Sequence, residues 1–164
     1  MNIFYLHDNP EVAASWHCDK HCIKMILESA QLLSTAHREL DGDEYADSVN
    51  LYKSFSPNHP SNIWIREARA NYRWVWDLLF ALCSEYTERY DKVHAVQRNG
   101  VLSALAPSPS NIPLEVFSQP PQCMPEEYKV QDNTVLSYRN YSHGEKAYFA
   151  KWRLGEPTWW KGAA

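Results

Sequence analysis

The sequence holds no apolar run long enough to cross a membrane, no glycine-rich phosphate loop and no internal repeat. Those absences exclude integral helical membrane proteins, P-loop enzymes and solenoids. A signal peptide is also missing, and the four cysteines, Cys18, Cys22, Cys83 and Cys123, lack the spacing of a disulfide framework. Both features predict a reducing, cytoplasmic setting. Excess positive charge is absent too: a formal charge of −4 argues against an unspecific coating of nucleic acid. A local basic strip is still allowed, because the acidic residues cluster at Glu39 to Asp47 and around Glu126 and Glu127.

What is present suits one domain with a true core: 164 residues, 45% hydrophobic and 13% aromatic. Seven Trp and ten Tyr are many for that length. Such rings fill cores and also stack on bases, and composition does not apportion them.

One stretch dominates, His17 to Arg38. On a helix turning about 100° per residue, His17, His21, Lys24, Glu28, Gln31 and Thr35 fall within one stripe roughly 80° wide, edged by Lys20 and Arg38. Met25, Ile26, Ser29, Ala30, Leu32, Leu33 and Ala36 fall opposite. The stripe is either an ordinary solvated face or a groove lined for proton transfer. Two His, a Lys, a Glu and a Gln in line, in place of simple Glu/Lys pairs, point to the second. The run His-Cys-Asp-Lys-His-Cys resembles a metal nest, but Cys18 and Cys22 point about 100° away from His17 and His21 on a helix. The four cannot close one tetrahedral zinc site. A His17/His21 pair sharing a metal with His59 is the remaining option, opposed by the charges of Lys20 and Lys24, and neither a metal nor a cofactor is expected.

In chain order, residues 1–7 read as a strand or extended segment against the core. Asn9-Pro10 opens a helical block over 10–40 that Asp41-Gly42-Asp43 terminates, with an acidic loop after it. Pro57 and Pro60 stiffen the turn holding His59, which either starts a helix or aims an imidazole into a site. A second helical block over 61–92 carries Arg66, Arg69 and Arg73 at helical spacing, and its length predicts a break near Ala70-Asn71. That arginine strip is solvated or tracks phosphates. Residues 99–131 hold most of the prolines and predict a long ordered loop wrapped over the helices, with Cys123 a small buried thiol. Asn133 caps a last helix expected to run to about Leu154, where Arg139 and Lys146 sit within reach of a phosphate; Trp159 and Trp160 then seal the core or stack on a base. The expected architecture is all-α, a compact single-domain helical bundle with a proline-rich loop and an aromatic tail over 132–164.

Asp19-x-His21 followed by Glu28, the aromatic and basic helix closing on Glu85 to Lys92, and the terminal Pro157-Thr158-Trp159-Trp160-Lys161 together resemble the small all-helical phage pyrimidine-dimer DNA glycosylases with AP-lyase activity, of the endonuclease V type. The resemblance covers about half of the chain. It implies a compact helical fold, Glu28 in the place of the essential glutamate, His21 in that of a substrate-contacting histidine, and a terminal tail close to bound DNA. It also implies attack by an amine on the deoxyribose anomeric carbon, giving a Schiff base that eliminates the 3′ phosphate. In that family the amine is an N-terminus exposed by removal of the initiator Met before a small residue. Here the chain begins Met1-Asn2. Either Met1 presents the amine, or Lys24 replaces it, or Glu28 directs a water with no lyase step.

Three functions follow from these residues. The first is a DNA glycosylase acting on a damaged or modified pyrimidine, with duplex DNA as partner and His17, Lys20, Gln31, His59 and the arginines as contacts. The second is a hydrolase or transferase using the same stripe on a free nucleotide. The third is a binding module without catalysis.

Overall fold

The computed structural model describes residues 2–162, and they form an all-α domain with no strand among them. The elements are α1 (Pro10–Ser15), α2 (Asp19–Asp41), α3 (Asp43–Ser48), α4 (Pro60–Glu67), α5 (Arg69–Tyr90), α6 (Ala95–Arg98), α7 (Val101–Ala104) and α8 (Thr134–Tyr141). None of the helices is long and apolar enough to cross a membrane.

Local chemistry sets the helix starts. Asn9 accepts the Glu11 and Val12 amides ahead of Pro10, His59 Nδ1 accepts the Ser61 amide ahead of Pro60, and Asn133 accepts the Leu136 amide. Gly42, at φ 80°, ends α2 in a conformation that favours glycine. The α2 face carrying Met25, Ile26, Leu32 and Leu33 is fully buried with Ile65 of α4 and Val75, Leu78, Leu79 and Leu82 of α5. Each such side chain contributes about 1.5–3 kcal/mol by leaving water. Tyr5 and Tyr138 close the core from the N-terminal segment and α8.

Two buried arginines staple the long helices to their surroundings. Arg89 of α5 donates to the carbonyls of Ser15 and His17 and to the carboxylates of Asp19 and Glu85, which fixes the turn between α1 and α2. Arg38 donates to the carbonyls of Leu51 and Tyr52 and pairs with Asp43 and Asp47.

Four expectations change at this level. The acidic segment after α2 is the helix α3 rather than a loop, because the Arg38 guanidinium holds Asp43 and Asp47 one turn apart. The break in the second block falls at Ala68, which is extended (φ −143°, ψ 144°): Leu114 of the proline-rich loop pairs there, donating to Glu67 O and accepting from the Arg69 amide. That loop also contains the short helix α7 and a 3₁₀ turn at Glu126–Tyr128. The last helix stops at Tyr141 and passes through a π turn at Ser142–Lys146 instead of reaching Leu154. Gly144 lies against the Tyr128 ring with no room for a Cβ, and the following chain folds back on α2, where Lys151 O accepts the Asp19 amide and Trp152 Nε1 donates to Trp16 O.

Candidate nucleic-acid interface

The α2 stripe is divided into three parts with different chemistry. His17, expected on the stripe, lies before α2 in the turn after α1, fully buried, its Nδ1 2.6 Å from the Ala13 carbonyl, so that Nδ1 carries the proton. Its Nε2 is buried with no partner among the described residues. Desolvation lowers its pKa to about 4. One turn later the His21 ring packs on Phe4 (centroids 4.3 Å apart, planes at 33°) and edge-on to Phe149 at 5.4 Å. Phe4 reaches it from a left-handed backbone conformation, φ 54°, strained for a bulky residue. Burial drives the His21 pKa down to about 3, assisted by His17 and then by the ammonium groups of Lys146, Lys24 and Lys20. Both imidazoles are therefore uncharged at neutral pH.

The middle of the stripe is open. Lys24 Nζ lies 3.6 Å from Glu28 Oε1, the lysine side chain 64% exposed and the glutamate 20% exposed. Lys20 reaches over the Phe149 ring at 4.7 Å and Lys146 over Tyr141 at 4.9 Å. Beside them Ile23 and Leu27, one turn apart, and Tyr148 are exposed. The end of the stripe is structural: Gln31 is half-buried, and the buried Thr35 donates to Gln31 O and accepts the Phe55 amide.

The other candidates lie elsewhere. His59 is half-buried and occupied as the cap of α4, its pKa lowered by burial. The three arginines of the second block do not form a free strip: Arg66 donates to Pro57 O, Arg69 binds Glu115 and Ser108, and Arg73 pairs with Asp77 and lies over Trp76. Arg139 donates Nε to Leu6 O and lies over the rings of Trp16 and Trp159. Trp159 and Trp160 are half-buried around His143, Trp160 stacked on it at 4.9 Å. With Trp16, Trp152, Cys18, His21 and Lys146 they line a gap of about 10 Å³, room for one water at most. Met1 lies outside the described residues.

The residues brought together are thus Lys20, His21, Lys24, Glu28 and Lys146. Arg66, Arg69 and Arg73 hold other partners, and Gln31 and Thr35 lie further along the helix. Sequence reasoning missed Phe4 and Phe149, which bracket His21 from the two ends of the chain, and the exposed Ile23 and Leu27. Helical spacing puts those last two on the flank of the stripe beyond Lys20; nothing local ties the two phenylalanines to His21. No group of three or more His, Cys, Asp or Glu able to hold a metal occurs among the described residues. No family model, curated protein or solved structure matches this chain.

Proposed function

We propose that the protein is a DNA glycosylase acting on a damaged or modified pyrimidine in duplex DNA, with an AP-lyase step. The observation that carries the reading is the placing of Lys20 over the Phe149 ring and Lys146 over the Tyr141 ring, both part of the ring cluster on His21, with the Lys24–Glu28 pair next along the helix. On a chain of net charge −4 such a cluster is a local phosphate attractor. The face is open, and Lys24 and Glu28 line none of the molecule's principal cavities. That favours a polymer, which brings its own surface, over a free nucleotide, which needs enclosure. Ile23 and Leu27 supply apolar side chains of the kind that enter a base step.

Glu28 is the catalytic carboxylate in this reading. It faces the positive charge that builds on the deoxyribose as the bond from C1′ to the base nitrogen breaks. Lys24 supplies the amine: Glu28 takes a proton from the ammonium, the nitrogen lone pair bonds to C1′, and the base leaves with the electrons of the glycosidic bond and a second proton from that nitrogen; the C1′–O4′ bond then breaks, O4′ taking the proton held by Glu28, as the nitrogen lone pair forms the C1′=N bond of a protonated Schiff base. Loss of the C2′ proton from the resulting Schiff base expels the 3′ phosphate. His21, uncharged and packed between Phe4 and Phe149, adds nothing to the field at the site.

Borohydride trapping on an abasic duplex tests the scheme. An adduct mapped to Lys24 is expected; an adduct at the α-amine moves the nucleophile, and no adduct removes the lyase step. Glu28→Gln is expected to abolish base release at an unchanged melting temperature. A drop of about 10 °C or more makes the carboxylate structural and the site wrong.

A further inference from the structure

We propose that the groove between the N-terminal segment, Phe117–Gln119 and the start of α8 binds an uncharged nucleoside, at a site separate from the lysine face. Two cavities adjoin there. One, about 360 Å³, is lined by Tyr5, Asp8, Trp74, Phe117 and Gln119; the other, about 450 Å³, by His7, Asp8, Gln119, Asp132, Asn133, Thr134, Val135 and Arg139. Asp8 and Gln119 belong to both, so a polar junction separates an aromatic half from a hydrophilic one.

The aromatic half suits a flat ring. Phe117, half-buried, presents the accessible ring, backed by the buried Tyr5 lying nearly parallel to it at 6.4 Å and by Trp74, 4.7 Å from Tyr5. Asp8 is held in place: its backbone carbonyl accepts Trp74 Nε1 at 2.8 Å and its Oδ1 accepts the Tyr5 hydroxyl at 2.9 Å. The second oxygen, Oδ2, has no partner among the described residues and is an acceptor for a base N–H. Gln119, exposed at the same junction, directs its side-chain amide toward the Tyr5 hydroxyl and keeps its carbonyl oxygen as an acceptor.

The hydrophilic half suits a sugar. His7 Nδ1 accepts the Asn9 amide at 2.9 Å, which leaves Nε2–H as a donor. Arg139 is fixed through Nε on Leu6 O and by the Trp16 and Trp159 rings, and both of its terminal nitrogens lack a hydrogen-bond partner among the described residues. Its charge is opposed by two carboxylates, Asp8 and Asp132, lining the same space. With two carboxylates to one guanidinium, a phosphate meets net repulsion there, whereas hydroxyls meet donors and acceptors alike. The groove therefore selects the nucleoside over its monophosphate.

Titration of the full chain with the four 2′-deoxynucleosides and their 5′-monophosphates, followed by tryptophan fluorescence and by heat, tests this without DNA, so its failure leaves the glycosylase reading untouched. At least one nucleoside is expected to saturate with a Kd of about 1 mM or below. Its monophosphate should bind about tenfold more weakly. Gln119→Ala, at an exposed position, should weaken the nucleoside about tenfold. Asp8→Asn retains an oxygen for Tyr5 while removing one opposing charge, and should gain affinity for the monophosphate, a gain that unfolding does not produce. The proposal is overturned if no nucleoside saturates by about 10 mM, if the monophosphate binds the unaltered chain more tightly than its nucleoside, if Gln119→Ala binds as before, or if Asp8→Asn gains nothing.

Discussion

Acidification to pH 5 should cost this fold about 4 kcal/mol through two histidines alone. His17 and His21 are buried and uncharged, with pKa values lowered to about 4 and about 3, against 6.5 in the unfolded chain. Between those limits the unfolded state binds more protons than the folded one, so stability is full above pH 6.5 and falls as the pH drops. At pH 5.0 each imidazole favours the unfolded state by about 2 kcal/mol, and His37, also lowered by burial, acts in the same direction. A comparison that stops at pH 5.0 lies above the range in which paired carboxylates such as Asp47, held low by Arg38, protonate. Urea unfolding at pH 7.5 and pH 5.0, read by tryptophan fluorescence, should show a midpoint lower by about 2 M at the acid pH. His21→Phe, which keeps a ring between Phe4 and Phe149 but cannot titrate, should retain only about half of the loss. A wild-type difference below about 1 kcal/mol, or a variant that loses as much as the wild type, would refute the claim that these imidazoles are held neutral by burial.

Three further outcomes follow from the packing. Arg89→Met leaves the carboxylates of Asp19 and Glu85 and the carbonyls of Ser15 and His17 without their shared donor, and should lower unfolding free energy by about 3–5 kcal/mol in denaturant titration; a loss under about 1 kcal/mol contradicts the staple. Gly144→Ala places a methyl in the Tyr128 ring and should cost about 1–3 kcal/mol, relieved when combined with Tyr128→Ala; a neutral single variant would show that the π turn has room. Lys146→Ala, removing one ammonium of the cluster about His21, should reduce the salt slope of duplex binding by about one unit in a mobility-shift series, and an unchanged slope removes it from the interface.

The helical character of the chain was legible because it is written locally. Asn9-Pro10, His59-Pro60 and Asn133 mark helix starts by satisfying amides within three residues, and the spacing of Met25, Ile26, Leu32 and Leu33 fixes the buried face of α2 wherever the rest of the chain goes. The same periodicity gathered Lys20, His21, Lys24 and Glu28 on one side, and Lys146 was visible as a cation among rings. The arginines of the second block read alike whether solvated or paired, since Glu115 and Pro57 lie outside any helical period of Arg69 and Arg66.

Sequence alone determined that α2 would have one apolar and one chemically rich side, because that depends only on the helix repeat. Tertiary structure decided which of those polar groups keep contact with water. Phe4 and Phe149, from opposite ends of the chain, desolvate His21; Arg38 turns an acidic stretch into α3; Tyr128 and the returning tail cut short the last helix. Each is an energy of desolvation or pairing set by groups distant along the chain, and such terms have no local spacing from which to be read.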